Sequence, residues 1–191
     1  MTMEVLVACE FSQVVTKAFI KWGHNAMSCD FLPGEKGLPH YQGNVLDILN
    51  DGWDLMIAHP PCTYLCNSGV RWLYEQDDRA GKMVYAANFF KILLNASINH
   101  ICIENPIPHK YSIEIISKKY NQIIQPWQFG HTTSKATCLW LKNLSPLQPT
   151  NIIPKEQRTQ DIWKMSPGPD RAKERSRTFQ GIADAMAEQW G

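Results

Sequence analysis

The segment DLMIAHPPC, residues 54–62, decides the expected fold. Its first five residues form a short apolar run typical of a buried strand, and the two successive prolines then end regular strand pairing. Residues 13–22 and 78–96 carry apolar residues at helical spacing. Further apolar runs of strand length are residues 3–8, 25–29 and 100–103. Strands that alternate with helices predict an α/β protein whose mainly parallel sheet has helices on both faces.

The rest of the chain carries weaker patterns. Residues 31–43 contain several glycines and prolines and are expected to form a loop. The other expected elements are a short helix at 111–120, a strand at 137–141 and a helix at 181–190. Residues 155–177 hold much of the remaining charge, and such a run is most often a solvated surface.

Length and composition indicate one globular domain. The chain has 191 residues, of which 44% are apolar and 19% charged, and its net charge of +1 gives no overall positive field for nucleic acid. No apolar stretch approaches the roughly 20 residues of a membrane-spanning helix. The opening MTMEVLVACEF has neither the basic region nor the long apolar region of a secretory signal. We therefore expect a cytoplasmic protein without a membrane partner.

The six cysteines are dispersed and lie mostly in apolar runs, so we expect reduced thiols. One metal site was considered, because His59, Cys62 and Cys66 form H-x2-C-x3-C and could supply three ligands. Zinc sites usually pair such cysteines with a second set, and the sequence contains no second pair. We therefore expect no metal.

Polar groups follow each expected strand. In open parallel sheets, ligands bind outside the carboxyl ends of the strands, so these groups should meet at one edge. They are Cys9, Glu10, Phe11, Asp30, residues 59–62, Glu104 and Asn105. A thiol at Cys62 that faces a carboxylic acid at Glu104 favours covalent catalysis assisted by a proton donor. Each also has a structural interpretation, because cysteine is often buried and Glu104 could pair with a lysine.

IAHPPC, residues 57–62, followed by IENP, residues 103–106, resembles the cysteine loop and the Glu-Asn loop of DNA cytosine-5 methyltransferases. The whole chain resembles more closely the small, often phage- or prophage-borne proteins of that class. This likeness includes PPCTYL at 60–65, FGHTTSKATCLWLKNL at 129–144 and the tail at 166–191. The resemblance implies a minimal Rossmann-like class I methyltransferase fold that transfers a methyl group from S-adenosyl-L-methionine to C5 of cytosine in DNA.

The resemblance also implies catalytic roles. Cys62 would be the nucleophile that adds to C6 of cytosine, and Glu104 would contact N3 through a protonated or strongly hydrogen-bonded carboxyl group. Pro60 and Pro61 would fix the direction of the cysteine loop, and Asn105 would brace the loop that carries Glu104. Because C6 is inaccessible in a stacked duplex, the cytosine must be flipped out or single-stranded.

For the cofactor, the resemblance implies that Asp30 binds the ribose hydroxyls and Asp47 the adenine amino group. Phe11 would lie near the methionine part, and Pro60 and Gly181 would complete the cofactor site. The tail that contains Gly181 resembles the element that closes the cofactor pocket.

Two features depart from the family pattern. The first loop of the family is rich in glycine, whereas CEFSQVV at 9–15 has none, and Gln13 is expected to narrow the site. A Gln-x-Arg-x-Arg pattern of the larger enzymes is matched here by Thr133, Lys135 and Thr137, which keep one positive charge. The alternative function is therefore a catalytically impaired methyltransferase scaffold that serves as a nucleic-acid or protein binding module.

Nucleic-acid contact is expected from basic residues near the end of the chain. The candidates are Lys135, Arg171, Lys173, Arg175 and Arg177. We expect one domain over 1–191, with a cofactor and catalytic core at 1–105, a reduced recognition or connector region at 106–175 and a closing helix at 176–191. Since this leaves no large target-recognition domain, sequence recognition should be relaxed, very short, or supplied by a partner subunit or a homodimer.

Two other enzyme classes fit less well. A zinc-dependent cytosine deaminase carries H-x-E followed by P-C-x-x-C, whereas this chain has P-C-x-x-x-C and no His-x-Glu. An amino-group methyltransferase places an acid or asparagine before Pro-Pro and an aromatic residue after it. His59 and Cys62 occupy those positions here.

Overall fold

The computed structural model describes residues 1–169 and 171–191, and a seven-stranded sheet organises them. The strands are β1 (Glu4–Ala8), β2 (Asn25–Asp30), β3 (His40–Gln42), β4 (Leu55–Ala58), β5 (His100–Pro106), β6 (Gln122–Ile124) and β7 (Thr137–Lys142). Their order is β3-β2-β1-β4-β5-β7-β6. Strands β1 to β5 pair in parallel, whereas β7 is antiparallel to both of its neighbours, β5 and β6.

Helices cover both faces of the sheet, as the alternation of patterns predicts. They are α1 (Val14–Lys21), α2 (Arg79–Leu94), α3 (Lys110–Ile116), α4 (Asp161–Lys164), α5 (Arg171–Ser176) and α6 (Gln180–Trp190). Helices α1 and α6 pack together on one face, and α2 and α3 on the other. None of these helices, in the part of the chain that the structure describes, is both long and apolar enough to cross a bilayer.

The central strands are buried on both faces, which explains why β1 and β4 consist of nearly uninterrupted apolar residues. Among the side chains whose burial the structure describes, Trp140 of β7 is the largest that is fully buried. Its ring packs edge-on against Phe90, with centroids 4.8 Å apart, and against Tyr120 at 5.8 Å. The indole N–H donates to the carbonyl oxygen of Lys118 at 2.9 Å, so burial of this group leaves no unpaired donor.

Strand β3 lies inside residues 31–43, where the sequence predicts only a loop. The three residues of β3 are polar or half-exposed, and they pair only with β2 at the edge of the sheet. A strand this short needs no apolar pattern, because it contributes little to the core. The loop prediction is wrong at this point.

Strand β5 runs to Pro106, beyond the end predicted at residue 103. On one side its parallel neighbour β4 ends at Ala58, opposite Ile103. On the other side β7 continues the pairing as far as Thr137, opposite Pro106. Glu104 and Asn105 therefore lie within a strand, although they are beyond the end of the parallel neighbour. They still reach the edge at which ligands bind in such sheets.

Helix α6 approaches the loop before β7 so closely that only glycine fits at its start. A Cβ at Gly181 would lie far inside van der Waals contact of the Phe129 carbonyl oxygen. The amide of Gly181 donates to His131 Nε2 at 3.0 Å. By contrast, a Cβ at Gly81 of α2 would meet nothing within 4 Å.

We therefore expect Gly181→Ala to lower the free energy of unfolding by about 2 kcal/mol or more, because backbone must shift to relieve the overlap. The matched variant Gly81→Ala should raise it by up to about 1 kcal/mol, since alanine loses less conformational freedom in a helix. Urea unfolding measures both. Equal effects of the two substitutions would contradict this packing of α6.

Candidate active site

Two neighbouring strands bring the predicted catalytic residues together. Strand β4 leads into His59-Pro60-Pro61-Cys62, and Glu104 lies in the adjacent β5. The Asn105 side-chain amide, which is buried, donates to the Pro60 carbonyl oxygen at 2.8 Å. Asn105 thus braces the loop that carries Cys62, whereas the resemblance implies a brace on the loop that carries Glu104.

Glu104 is nearly buried, with 13% of its side chain exposed, and its Oε2 lies 3.1 Å from His59 Nδ1. Burial alone would raise the pKa of this carboxyl group. The hydrogen bond from His59, the positive charge of Lys135 and a hydrogen bond with Thr137 act in the opposite direction, and they hold the pKa below its usual value. Of the two states expected from the resemblance, this is the strongly hydrogen-bonded one.

His59 lies beside Glu104, although the sequence assigns it no catalytic role. Its side chain is 9% exposed, and its Nδ1 is committed to Glu104. The other ring nitrogen, Nε2, is buried and has no hydrogen-bond partner among the described residues. Within residues 1–169 and 171–191, no three His, Cys, Asp or Glu side chains are grouped so that they could hold a metal ion.

Cys62 and Cys66 lie one turn apart, because the amides of Leu65 and Cys66 both donate to the Cys62 carbonyl oxygen at 3.0 Å. The Cys66 sulfur lies 3.2 Å from the Ser68 hydroxyl oxygen. The neighbouring Cys66 side chain, burial and the negative charge of Glu104 raise the pKa of the Cys62 thiol. The Cys62 thiol and hydrogen bonds from Ser68 lower the pKa of Cys66.

The loop that follows Cys62 is held in place by two helices. Arg79 of α2 donates to the Thr63 carbonyl oxygen at 2.6 Å, and its guanidinium lies 4.5 Å from the centre of the Tyr64 ring. From α3, the Ser112 hydroxyl donates to the Leu65 carbonyl oxygen at 3.0 Å. The two hydrogen bonds and the contact with the ring hold three successive residues of the loop, so the surrounding helices support the position of Cys62.

A cavity of about 240 Å³ opens beside this loop, at the carboxyl ends of β1, β2 and β3. Its lining residues are Cys9, Cys29, Asp30, Phe31, Gly43, Asn44, Val45, Leu46, Pro61, Tyr85 and Phe89. Pro61 belongs both to the cavity wall and to the loop that carries Cys62. The cavity and the candidate nucleophile are therefore adjacent.

The two acids predicted for the cofactor have different environments. Asp30 lines the cavity, its Oδ1 accepts a hydrogen bond from the amide of Leu32 at 2.9 Å, and burial raises its pKa. The carboxylate of Asp47 instead accepts a hydrogen bond from the Tyr41 hydroxyl at 3.1 Å. Asn44, which follows β3, occupies the cavity wall.

Sequence reasoning missed Phe31 and Asn44 as cavity residues. Phe31 has 73% of its side chain exposed although it is aromatic, and it directly follows Asp30. Its position directly after Asp30 could have identified Phe31 as a cavity residue from the sequence. Asn44 could not be recognised, because it follows a strand that has no sequence pattern.

The first loop uses left-handed backbone without glycine. Cys9 and Gln13 have φ values of 60° and 54°, in the region that favours glycine. The Gln13 amide is fully buried; it donates to Ser28 Oγ at 3.1 Å and accepts from the Lys36 amide at 2.7 Å. Gln13 thus fastens the chain after β2, and the expectation that it narrows the site is wrong.

Glu10, which the sequence places at the carboxyl edge of the sheet, bonds to the start of α1. Its buried carboxylate accepts hydrogen bonds from the Val15 amide at 2.7 Å and from the Thr16 amide and hydroxyl at 3.2 and 2.7 Å. It therefore caps the N-terminus of α1, where a negative charge is favourable. Two amides of the first turn of this helix are thus bonded within the protein.

Near Phe11, two of the predicted DNA-contacting cations are paired within the protein. Lys173 and Arg177 both bond to the carboxylate of Glu35, at 2.9 Å for Lys173 Nζ and 2.9 Å for Arg177 Nη2. Both also lie over the ring of Phe11, at 5.2 and 5.4 Å from its centre. Hydrogen bonds from Arg177 and Lys173 lower the pKa of Glu35 to about 2. We call Glu35, Lys173 and Arg177 the Glu35 ion cluster.

Two further predicted residues, Lys135 and Gly181, also contact other parts of the protein. Lys135 Nζ donates to the carbonyl oxygen of Arg175 at 2.8 Å and is a charged neighbour of Glu104. Gly181 contacts Phe129 and His131, so in this structure it serves the close packing of α6.

The chain matches no protein-family model and no curated protein. A solved structure from E. coli, described as a DNA modification methyltransferase encoded within a prophage, superposes with a TM-score of 0.51 at 14% identity. That match covers 80% of this chain and 52% of the other, so this chain spans about half the length of its neighbour. The present chain has the class I methyltransferase fold. The expected fold is thereby confirmed.

Two further solved structures are similar at lower scores. The Entamoeba histolytica methyltransferase EhMeth has a TM-score of 0.48 at 16% identity, with 88% of this chain and 61% of that chain covered. The S. pombe Dnmt2 methyltransferase has a TM-score of 0.46 at 16% identity, with 90% and 55% covered.

His59 provides a test of the electrostatics at Glu104. We expect His59→Leu to lower the free energy of unfolding by about 1–3 kcal/mol at pH 7, because a buried carboxylate loses its hydrogen bond. The effect should be smaller at pH 4. A carboxyl group with a lowered pKa in the folded state stabilises the protein above its unfolded pKa, and this contribution is lost as the pH falls.

Urea unfolding at the two pH values measures the difference. The matched variant His59→Gln keeps a side-chain N–H donor and should lose less stability than His59→Leu. A loss that is the same at pH 7 and pH 4 would show that His59 supports the fold through packing alone.

Proposed function

We propose that the protein is a DNA (cytosine-5-)-methyltransferase, which transfers a methyl group from S-adenosyl-L-methionine to C5 of cytosine. One observation carries this proposal. Cys62 and Glu104 meet at the carboxyl edge of a class I methyltransferase fold, and the cavity beside them shares Pro61 with the loop of Cys62.

The chemistry of the cavity supports the cofactor. The carboxylate of Asp30 suits the hydroxyl groups of a ribose, and the apolar walls of Phe31 and Val45 suit a flat base. Asn44 replaces Asp47 as the proposed contact of the adenine edge, since Asn44 lines the cavity. Phe11 and Pro60 stay proposed contacts of the methionine part. When bound, S-adenosyl-L-methionine supplies an electrophilic methyl group.

On the protein side, Cys62 adds to C6 of cytosine, and the electron pair of the C5–C6 bond moves towards C5 and the ring. Glu104 stabilises the charge that builds up at N3. Cytosine N3 carries no hydrogen, so this contact requires a proton shared with the carboxyl group. His59, whose Nδ1 lies 3.1 Å from Glu104 Oε2, can supply it.

The proposed substrate is a cytosine in DNA that is flipped out or single-stranded. Phosphate contacts are proposed for Lys135, Arg171, Lys173, Arg175 and Arg177, with Lys173 and Arg177 exchanging Glu35 for a phosphate group. Between β7 and α6, the described residues form short helices rather than a separate domain. Target recognition is therefore proposed to be short or to come from a partner subunit or a second copy.

A pair of matched variants tests the cofactor site. Asp30→Asn should weaken S-adenosyl-L-methionine binding at least about tenfold, because a hydrogen bond to a charged group contributes about 1.5–3 kcal/mol. Asp47→Asn should change the affinity less than twofold. Isothermal titration calorimetry measures both. If the unaltered protein does not bind at millimolar concentration, the methyltransferase proposal is wrong and the binding-module alternative takes its place.

Covalent capture tests the nucleophile. Incubation with S-adenosyl-L-methionine and DNA that contains 5-fluorocytosine should trap the protein. Release of the cysteine requires removal of the proton at C5, and because fluorine replaces that proton the covalent adduct persists. Cys62→Ser should abolish the trapped band on a denaturing gel while calorimetry shows unchanged cofactor binding. A trapped band that survives in Cys62→Ser would overturn the assignment of Cys62.

A further inference from the structure

An arginine and a tryptophan that the chemistry above does not use are stacked on each other. Trp127 lies between β6 and β7, and Arg158 lies between β7 and α4. The guanidinium carbon of Arg158 is 3.5 Å from the centre of the Trp127 ring, so the two planar groups are in van der Waals contact. Both residues are half-buried.

Backbone groups fix the geometry of this stack. The Ile153 amide donates to the Trp127 carbonyl oxygen at 2.8 Å, and Arg158 Nε donates to the Ile153 carbonyl oxygen at 3.0 Å. The ring covers one face of the guanidinium, and the Nε bond restrains its rotation. A guanidinium that is already held in this way loses less conformational entropy when it binds a ligand.

The outer end of the guanidinium remains to bind a ligand. In residues 1–169 and 171–191, Nη1 and Nη2 of Arg158 donate to no other group, and neither is a buried atom without a partner. Two N–H donors side by side in one plane fit a ligand that offers two adjacent acceptors. In nucleic acid such pairs are two oxygens of a phosphate group, or O6 and N7 of guanine.

The charges near Arg158 along the chain favour guanine over phosphate. Within three residues of Arg158 the sequence has one lysine and two acids, which are Lys155, Glu156 and Asp161. Together they add no positive field that would attract a phosphate group. The acceptors of guanine are neutral, so their recognition depends on the fixed pair of donors rather than on such a field.

The stack is connected to the candidate active site through the backbone. The Ser134 amide donates to the carbonyl oxygen of Thr159, which directly follows Arg158, at 2.9 Å. Lys135, the residue after Ser134, is the charged neighbour of Glu104. A strand that presents a cytosine at the candidate active site can therefore place a nearby base on the arginine.

We propose that Arg158, held by Trp127, recognises a guanine near the target cytosine, with Nη1 and Nη2 donating to O6 and N7 of that base. This role rests on the nucleic-acid substrate of the proposed function. It assigns a short recognition element to this chain itself, within the segment between β7 and α6.

Binding to modified DNA tests this contact without cofactor. The probe is a fluorescent strand in which guanines flank one cytosine, used both single-stranded and as a duplex. Its matched form carries 7-deazaguanine at every guanine of the strand and so lacks the N7 acceptor. In at least one of these two settings the unaltered protein should bind the guanine probe at least about fivefold more tightly, the smallest discrimination expected of a bidentate contact. Fluorescence anisotropy measures the affinities.

Variants of Arg158 separate this contact from a general effect of charge. Arg158→Ala and Arg158→Lys should both bind the two probes equally, because lysine keeps the charge but lacks the planar pair of donors. The matched control is Arg71→Ala, since the Arg71 guanidinium also lies over a tryptophan, 4.4 Å from the centre of the Trp72 ring. This variant should keep the preference for guanine.

Variants of Trp127 test the stack itself. Trp127→Leu should reduce the preference for guanine although Arg158 is still present, whereas Trp127→Phe keeps an aromatic face and should retain most of it. Circular dichroism checks that each variant is folded. An unaltered protein without a preference, or a full preference in folded Arg158→Ala or Trp127→Leu, would overturn the proposal. If Arg158→Ala weakens binding to both probes by the same factor, Arg158 contacts phosphate or supports the fold, and the proposal is likewise wrong.

The binding assay also distinguishes this proposal from the proposed function. If S-adenosyl-L-methionine does not bind but Arg158 determines a preference for guanine, the methyltransferase proposal fails and the guanine contact belongs to a nucleic-acid binding module. If 5-fluorocytosine DNA traps the protein and neither probe is preferred, only the role of Arg158 is wrong.

Discussion

The candidate site depends on the unequal pairing of β5. Its parallel neighbour ends opposite Ile103, while the antiparallel β7 continues to pair it as far as Pro106. The backbone of Glu104 is thus held by a complete ladder on one side, and its side chain projects beyond the end of β4 on the other. His59 and Pro60, which leave β4 at that point, bond to Glu104 and Asn105. A reversed strand between β5 and β6 is therefore what makes this corner of the sheet rigid.

Sequence patterns predicted the part of the fold that is driven by apolar burial. The strands β1, β2, β4 and β5 and the helices α1, α2 and α6 all carry strong patterns, and the rule for parallel sheets placed Cys62 and Glu104 at one edge. The pattern failed at β3, an edge strand that is not buried. The missed strand also hides one residue of the cavity wall, because Asn44 is recognisable as such only when β3 is known.

Side-chain electrostatics could not be predicted from the sequence. The Glu35 ion cluster joins residues that are 142 positions apart, and a run of basic residues gives no sign of which acid it meets. The contact between the Cys66 sulfur and the Ser68 hydroxyl, at 3.2 Å, likewise arises from a turn of the backbone. Such pairings follow from the fold, so they become visible only after the backbone is known.

The Glu35 ion cluster joins residues that are far apart along the chain, which affects the entropic cost of forming it. A ribosome completes Glu35, with the loop around Phe11, long before it adds Arg177. The strands β1 to β5 contact one another over shorter distances along the chain, and such contacts close at a lower entropic cost. Closing Lys173 and Arg177 over Phe11 thus costs more chain entropy than pairing any two neighbouring strands among β1 to β5.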